Sequence, residues 1–390
     1  MDAIEKLQIL GPAADDECAD DVAADGRRLL APRTPRDLAR CVSHATLPGG
    51  QRIPILKTLV SSVCENDCRY CAFRAGRDVR RATFSADELA RLSDQLWRHG
   101  IVKGIFLSSG LVGGGIHTQD SIIATAELLR RKYRFSGYLH AKIMPGADRA
   151  QVAETMRWAD RVSLNLEAPN ANRLSTLAPC KGFSADLLQR LRWAHELAVG
   201  GNSLGRRPSL TTQFVVGAVG ESDLELLLTS SYLYRELGLA RTYFSGFNPV
   251  PDTPLEDQLP IQAHREHRLY QASFLLRDYA FDVEELPFGR EGDLPLDTDP
   301  KLAWAQIHLL ESPVEVNVAE RHLLLRVPGI GPTTADRIVQ ERRRGRLTDV
   351  SQLRRLGIIV QRAMPFVLLD GHYAPRQLSF WTAGIPLGGS

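Results

Sequence analysis

Six strand-type segments alternate with six amphipathic helical segments between about residue 52 and residue 280. A typical pair is the helical segment SADELARLSDQLWRHG followed by the apolar segment VKGIFLSSG. Alternation of this kind favours a parallel sheet with right-handed crossovers. Polar and glycine-rich loops after the strands indicate a barrel-type sheet, open or closed, with its active site at the C-terminal ends of the strands. A doubly wound sheet is the alternative, but no GxGxxG follows the first strand.

The rest of the 390-residue chain predicts smaller parts around these units. The N-terminal part reads as helical over residues 20–30 and 34–48. A segment rich in proline, aspartate and glycine follows the last helix and indicates a linker that wraps the barrel. The predicted parts are a helical extension (1–50), the barrel (51–280), the linker (281–318), a small all-α domain (319–375) and a tail (376–390).

Composition excludes several classes of protein. Apolar residues make up 44% of the chain and charged residues 24%, which excludes a largely disordered or fibrous chain. No apolar run reaches the roughly 18 residues that a membrane helix needs. The acidic N-terminus lacks the shape of a signal peptide. We therefore expect a cytoplasmic protein with no membrane partner.

Three of the six cysteines fall within eight residues, directly after the first strand. Cys64, Cys68 and Cys71 form a C-x3-C-x2-C motif. Three thiolates on one tight loop can bind three irons of a [4Fe–4S] cluster and leave the fourth iron without a protein ligand. A structural zinc ion would need a fourth ligand, for which His44 and His140 are badly spaced. The scattered Cys18, Cys41 and Cys180 are expected to be buried or inert, with no second cluster.

This motif resembles that of the radical S-adenosylmethionine (radical SAM) superfamily, in which an aromatic residue precedes the last cysteine, as Tyr70 does here. The resemblance implies a partial (β/α)6 barrel of the TIM type. It also implies a [4Fe–4S] cluster that reductively cleaves S-adenosylmethionine to methionine and a 5′-deoxyadenosyl radical. The electron would come from a flavodoxin or a ferredoxin.

The resemblance also implies which residues bind S-adenosylmethionine. Ser108, Ser109 and Gly110 stand where the superfamily binds the methionine amino group, and Asn165 and Glu167 where it binds the ribose and the methionine group. Further residues are suggested for adenine, for a carboxylate and for the substrate. They are Gln213, Val215 and Asn248 for adenine, Arg173 or Lys181 for a carboxylate, and His140 and Lys142 for the substrate.

The C-terminal part carries a strong local charge. Ten arginines and three acidic residues lie between Arg321 and Arg362, although the whole chain has a net charge of only +2. Within this stretch, VPGIGP resembles the turn of a helix-hairpin-helix motif, whose exposed backbone N–H groups and arginines contact phosphates. The candidate nucleic-acid-binding residues are Arg326, Gly329, Ile330, Gly331, Thr333, Arg337, Arg342 and Arg343. A plain packing or protein-docking module is the alternative.

The catalytic part is similar to the biotin-synthase-like branch. Combined with the tail, the chain resembles radical SAM proteins described as DNA modification or repair proteins. The first hypothesis is therefore a radical SAM enzyme that modifies or repairs DNA or RNA. The second is a radical SAM enzyme for a small molecule, with the tail used for partner docking. The third is a non-catalytic iron–sulfur protein that binds nucleic acid.

Overall fold

The computed structural model describes residues 1–11, 14, 41–46, 51–200 and 207–373. The chain divides into two compact units. The first comprises residues 1–273 and 288–296, and the second comprises residues 274–287 and 297–390. The predicted tail and the predicted helix over residues 20–30 lie outside the described residues.

The first unit is built on a seven-stranded sheet whose strands lie side by side in chain order. The first pair is antiparallel and every later pair is parallel. This order, with helices between the parallel strands, confirms the predicted α/β fold with a partial TIM-type barrel. The strands are β1 Val42–Thr46, β2 Arg52–Leu59, β3 Gly104–Ser108, β4 Tyr138–Lys142, β5 Arg161–Ser163, β6 Ser209–Val216 and β7 Arg241–Gly246.

Local capping interactions determine where several helices begin. The Ser85 hydroxyl accepts a hydrogen bond from the Glu88 N–H, and the Glu88 carboxylate accepts one from the Ser85 N–H. This capping box satisfies backbone donors that the first helical turn leaves unpaired. The helices of this part of the chain are α1 Ala3–Leu10, α2 Ala86–Arg98, α3 Gly114–Arg131, α4 Arg149–Trp158, α5 Ala171–Leu177, α6 Gln189–Val199, α7 Asp223–Glu236 and α8 Arg265–Asp278. A π-helical turn over Phe183–Leu188 precedes α6.

The predicted helix over residues 34–48 is wrong where the structure describes it. Val42–Thr46 forms strand β1, which pairs antiparallel with β2 from Val42 opposite Leu56 to Thr46 opposite Arg52. The edge of β2 offers unpaired backbone groups, and pairing with them outweighs the weak helical pattern of this segment. The first unit therefore contains one strand more than the six expected.

The second unit contains its own apolar core, which includes Leu324, Ile330, Ile338 and Phe366. Its helices surround this core as predicted, and a three-stranded sheet in the order β10-β9-β8 adds to them. The elements are α9 Pro300–His308, β8 Val314–Glu315, α10 Arg321–Leu324, α11 Pro332–Glu341, α12 Val350–Arg355, α13 Val360–Ala363, β9 Val367–Leu369 and β10 His372–Tyr373, with a 3₁₀ turn over Met364–Phe366.

The segment predicted as a partly ordered linker, residues 281–318, contains regular secondary structure. It contains a 3₁₀ turn over Val283–Glu285, helix α9 and strand β8. Residues 288–296 belong to the first unit and the remainder to the second. None of the helices in the described part of the chain combines the length and the apolar composition that crossing a membrane requires.

Candidate active site and nucleic-acid interface

A cavity that is open to solvent lies at the C-terminal ends of the barrel strands. Residues at or just after the C-terminal ends of β2, β3, β4 and β5 line it, together with Gln213 of β6. The lining residues that the sequence suggests are Cys64, Cys68, Tyr70, Cys71, Ser109, Gly110, Lys142, Asn165, Glu167, Lys181 and Gln213.

The cysteine loop is held in shape by two charged side chains that sequence reasoning missed. The Arg81 guanidinium donates hydrogen bonds to the carbonyl oxygens of Ser62 (2.6 Å), Phe73 (2.8 Å) and Arg74 (3.0 Å). The carboxylate of Glu65, which lies inside the motif, accepts the N–H groups that start α3, at 2.6 and 3.1 Å. Charge-assisted bonds of this kind are stronger than neutral ones, so they fix the loop before any ligand binds.

A close backbone approach explains the glycine that follows β3. A Cβ atom at Gly110 would lie 2.2 Å from the carbonyl oxygen of Val63, which directly precedes Cys64. The Gly110 N–H also donates to the carbonyl of Ser61, at 2.7 Å. Glycine therefore allows the end of β3 to pack against the cysteine loop.

The three motif thiols differ in their environments. A hydrogen bond from Cys180 lowers the pKa of Cys68 to about 7, whereas burial raises the pKa of Cys71 to about 12. Within the described ranges, no three His, Cys, Asp or Glu side chains are grouped closely enough to hold a single metal ion. The three motif thiols line one cavity, which suits a cluster with a separate thiolate on each of three irons.

Glu167 and Lys181 form a buried ion pair in the wall of the cavity. Lys181 Nζ lies 2.8 Å from Glu167 Oε1. The second carboxylate oxygen, Glu167 Oε2, is buried and has no hydrogen-bond partner among the described residues. A buried acceptor without a partner costs free energy unless a ligand supplies a donor. Glu167 is thus suited to accept a hydrogen bond from a ligand in the cavity.

Several candidate residues lie outside the cavity lining. Ser108 and Val215 are buried within their strands, and Asn248 is exposed. Arg173 is bound to Glu225, with Nη2 and Oε2 3.0 Å apart. The contacts of these four residues with S-adenosylmethionine remain predictions.

His140 also lies outside the lining, although Lys142 belongs to it. Its ring is buried, and Nε2 is hydrogen-bonded to Ser163 Oγ at 2.9 Å. Burial lowers its pKa well below the usual value. It is therefore a structural histidine rather than a substrate contact.

The predicted nucleic-acid interface needs two corrections. Arg326 is buried and its guanidinium bonds the carboxylate of Glu285, at 2.7 and 2.9 Å, so it cannot contact a phosphate. It also stacks on Phe281, 3.8 Å from the ring centroid. Ile330 is buried in the apolar core, and its N–H donates to the carbonyl of Val327. Both residues stabilise the hairpin from inside.

The other candidates lie along α11: Gly329, Gly331 and Thr333 at its start, Arg337 within it, and Arg342 and Arg343 after its end. Gly329 has φ of +85° and Gly331 is the N-cap residue, with Pro332 at the first helical position. Thr333, Arg337 and Arg343 are exposed, whereas Arg342 is half-buried and donates to the carbonyls of Val316 and Ala319. The N–H groups of a first helical turn form a site for an anion such as a phosphate.

Comparison with known families connects this geometry to chemistry. The family model described as "Radical SAM superfamily" matches residues 58–229, which contain the cysteine motif and the cavity residues. Residues 58–229 form a radical SAM domain. Enzymes of this superfamily use a [4Fe–4S] cluster and S-adenosylmethionine. A second model, "Helix-hairpin-helix motif", matches residues 311–359. No curated protein matches the sequence of the chain.

Several solved structures are similar to the chain, and three of them illustrate the likeness. Methylornithine synthase (PylB) is 14% identical over 57% of this chain and 61% of its own, with a TM-score of 0.47. HydG from Carboxydothermus hydrogenoformans is 15% identical over 57% and 51%, with a TM-score of 0.45. A radical SAM methyltransferase from Sphaerobacter thermophilus is 16% identical over 71% and 91%, with a TM-score of 0.44. The match thus spans only half to three fifths of the first two proteins.

The residues of the radical SAM domain fit both cofactors. The motif cysteines are three thiols around one cavity, which is the donor set that a site-differentiated cluster requires. The unpartnered Glu167 Oε2 offers an acceptor to the amino group of S-adenosylmethionine. Asn165 and Gln213 present polar side chains to the same space.

Proposed function

We propose that the chain is a radical SAM enzyme that modifies or repairs a nucleic acid. One observation carries the proposal: the radical SAM domain is followed in the same chain by a helix-hairpin-helix motif with exposed arginines. Arginines and helix N-terminal N–H groups neutralise phosphates without reading bases. The motif would therefore hold DNA or RNA by its backbone.

Each part of the cavity has a role in this proposal. Cys64, Cys68 and Cys71 hold the cluster. When bound, the cluster and S-adenosylmethionine supply a 5′-deoxyadenosyl radical, with the electron delivered by a flavodoxin or ferredoxin. Glu167 accepts a hydrogen bond from the methionine amino group, and Lys181 holds the other carboxylate oxygen so that Glu167 keeps its orientation.

The substrate nucleotide would have to enter the barrel end. A base stacked in a duplex cannot reach a radical formed inside a cavity, so a duplex target would have to flip its nucleotide out. Lys142, which lines the cavity at the end of β4, would contact an anionic group of that nucleotide. The hydrogen atom would be abstracted from the base or the sugar.

Anaerobic reconstitution tests the proposal. The protein would be loaded with iron and sulfide, reduced with dithionite and supplied with S-adenosylmethionine. Formation of 5′-deoxyadenosine would then be measured with duplex DNA, single-stranded DNA, tRNA or no nucleic acid. We expect one nucleic acid to stimulate 5′-deoxyadenosine formation, and high salt to remove that stimulation.

Other outcomes separate the rival hypotheses. Formation of 5′-deoxyadenosine that no nucleic acid changes would favour a small-molecule substrate. Absence of cleavage in a sample with a spectroscopically confirmed cluster would favour a non-catalytic binding protein. The Cys64→Ala variant is the control, because it should bind no intact four-iron cluster.

A further inference from the structure

A fourth cysteine lies next to the cluster motif. Cys180 Sγ is 3.9 Å from Cys68 Sγ, although 112 positions separate the two residues. A main-chain contact holds their segments together: the Arg69 N–H donates to the carbonyl of Leu177, at 2.9 Å. This backbone hydrogen bond therefore keeps the chain segments of Cys68 and Cys180 next to each other.

The separation of the two sulfurs is compatible with a covalent bond. A disulfide has a sulfur–sulfur distance of about 2.05 Å, so the atoms must approach each other by roughly 2 Å. Rotation of the two side chains between staggered conformers can supply such a movement without separating the anchored backbones. Cys180 is exposed, so an oxidant in solution can reach it, whereas Cys68 is buried beside the cavity.

We propose that Cys68 and Cys180 form a reversible disulfide that blocks cluster binding. The oxidant is a low-molecular-weight disulfide such as oxidised glutathione. Cys180, the exposed thiol, attacks it, gives up its proton and forms a mixed disulfide with release of one thiol. Cys68 then attacks the Cys180 sulfur and releases the second thiol. Two protein thiols are oxidised, one small disulfide is reduced, and the two protons end on the released thiols.

The consequence follows from the shared residue. A sulfur bonded to Cys180 is not available as a thiolate for iron, so the oxidised chain retains only Cys64 and Cys71 of the motif. Iron ligation would occupy Cys68 and prevent the disulfide, so the two states exclude each other. This part of the inference rests on the proposed cluster site, whereas formation of the disulfide does not.

Peptide mapping of the full-length apoprotein tests the disulfide directly. The protein would be treated with oxidised glutathione without oxygen, alkylated, denatured and digested with trypsin. The linked product should join residues 58–69 to residues 174–181. Cleavage after Glu65 would then separate Cys64 from Cys68 and identify the partner. Parallel samples would be reconstituted and their iron content measured, with an expected loss of about tenfold that dithiothreitol reverses.

Two variants make the result specific. Cys180→Ser should give no linked peptide and should keep its iron loading after oxidation, and Cys41→Ala should behave like the parent. A parent protein without the linked peptide would overturn the proposal, as would equal loss of iron loading in Cys180→Ser. A third outcome would also overturn the proposal. If no linked peptide forms, and if iron-loaded Cys180→Ser differs from the loaded parent in its electron paramagnetic resonance spectrum without S-adenosylmethionine, Cys180 is a fourth cluster ligand instead.

Absence of 5′-deoxyadenosine formation would count only against the proposed function. The linked peptide is measured on apoprotein and needs neither S-adenosylmethionine nor turnover.

Discussion

Lys181 Nζ lies 2.8 Å from Glu167 Oε1, and both side chains are almost completely buried, with exposed fractions of 9% and 3%. Burial opposes the charge of Lys181, but the nearby charges of Cys68 and Glu167 outweigh it and raise its pKa. The lysine therefore stays cationic beside the thiols. Glu167 also adopts φ of +65°, which points to a backbone held by its surroundings.

Glu167→Ala should destabilise the first unit by about 3 kcal/mol, because it leaves the buried ammonium of Lys181 without its partner. Urea unfolding of the full chain would measure the loss. The matched control is Glu196→Ala, which removes an exposed pair with Arg149 whose side chains are 51% and 58% exposed. We expect the free energy of unfolding of Glu196→Ala to fall by less than about 1 kcal/mol. Equal losses in the two variants would contradict the structural role of the buried pair.

His140 predicts a dependence of stability on pH. Burial, followed by the charges of Arg161 and Lys142, lowers its pKa in the folded protein well below 6.5. Below pH 6.5 the unfolded chain binds a proton at this histidine and the folded chain does not. The free energy of unfolding should therefore decrease as pH falls below 6.5, by up to about 1.4 kcal/mol per pH unit from this group.

His140→Gln tests this dependence, because glutamine keeps a polar group near Ser163 but does not titrate. Unfolding free energies would be measured by urea denaturation between pH 7.5 and pH 5.5. The difference between parent and variant should become smaller as pH falls. A difference independent of pH would mean that His140 titrates normally in the folded protein.

The barrel could be predicted from the sequence because the pattern that indicates it is local and repeats along the chain. Alternating apolar strands and amphipathic helices have different periods, so each element can be recognised from its own residues. Strand β1 was not recognised, because Val42–Thr46 becomes a strand only through pairing with β2. Strand β5 ends at Ser163, and Glu167 beyond it contributes only an isolated bridge to Phe214.

In the candidate site, motif spacing identified the cysteine loop but not the contacts that hold it. Arg81 and Cys180 reach the loop through the fold and carry no local signal. The environment of Arg326 in the second unit could not be predicted from the sequence for the same reason. A sequence reveals its charge, but burial against Phe281 and pairing with Glu285 are tertiary properties.

Gly329 should be intolerant of a side chain. It has φ of +85°, and an added Cβ atom would lie 2.6 Å from the carbonyl oxygen of Ile359. Gly329→Ala should therefore lower the free energy of unfolding by about 2 kcal/mol and make the hairpin open more often. Hydrogen–deuterium exchange of residues 324–330 in the full chain would show faster exchange. Gly345→Ala is the control, because no atom lies within 4 Å of its added Cβ. Unchanged exchange in Gly329→Ala would show that the turn relaxes without cost.

Arg343 provides the test of phosphate binding by the second unit. Arg343 follows α11 in the segment that carries ten arginines, and its side chain is exposed. If it contacts a phosphate, Arg343→Gln should weaken binding of duplex DNA or RNA to a similar extent for all sequences. The slope of log Kd against log salt concentration should decrease by about one.

Arg157→Gln is the matched control, because it removes the same charge from an exposed position on α4 of the first unit. Both variants have the same net charge, so a general electrostatic attraction would affect them equally. A contact at the helix-hairpin-helix motif would change the salt slope in Arg343→Gln alone. Equal changes in the two variants would therefore argue against a phosphate site at the end of α11, and unchanged binding in both would leave protein docking as the better explanation of the motif.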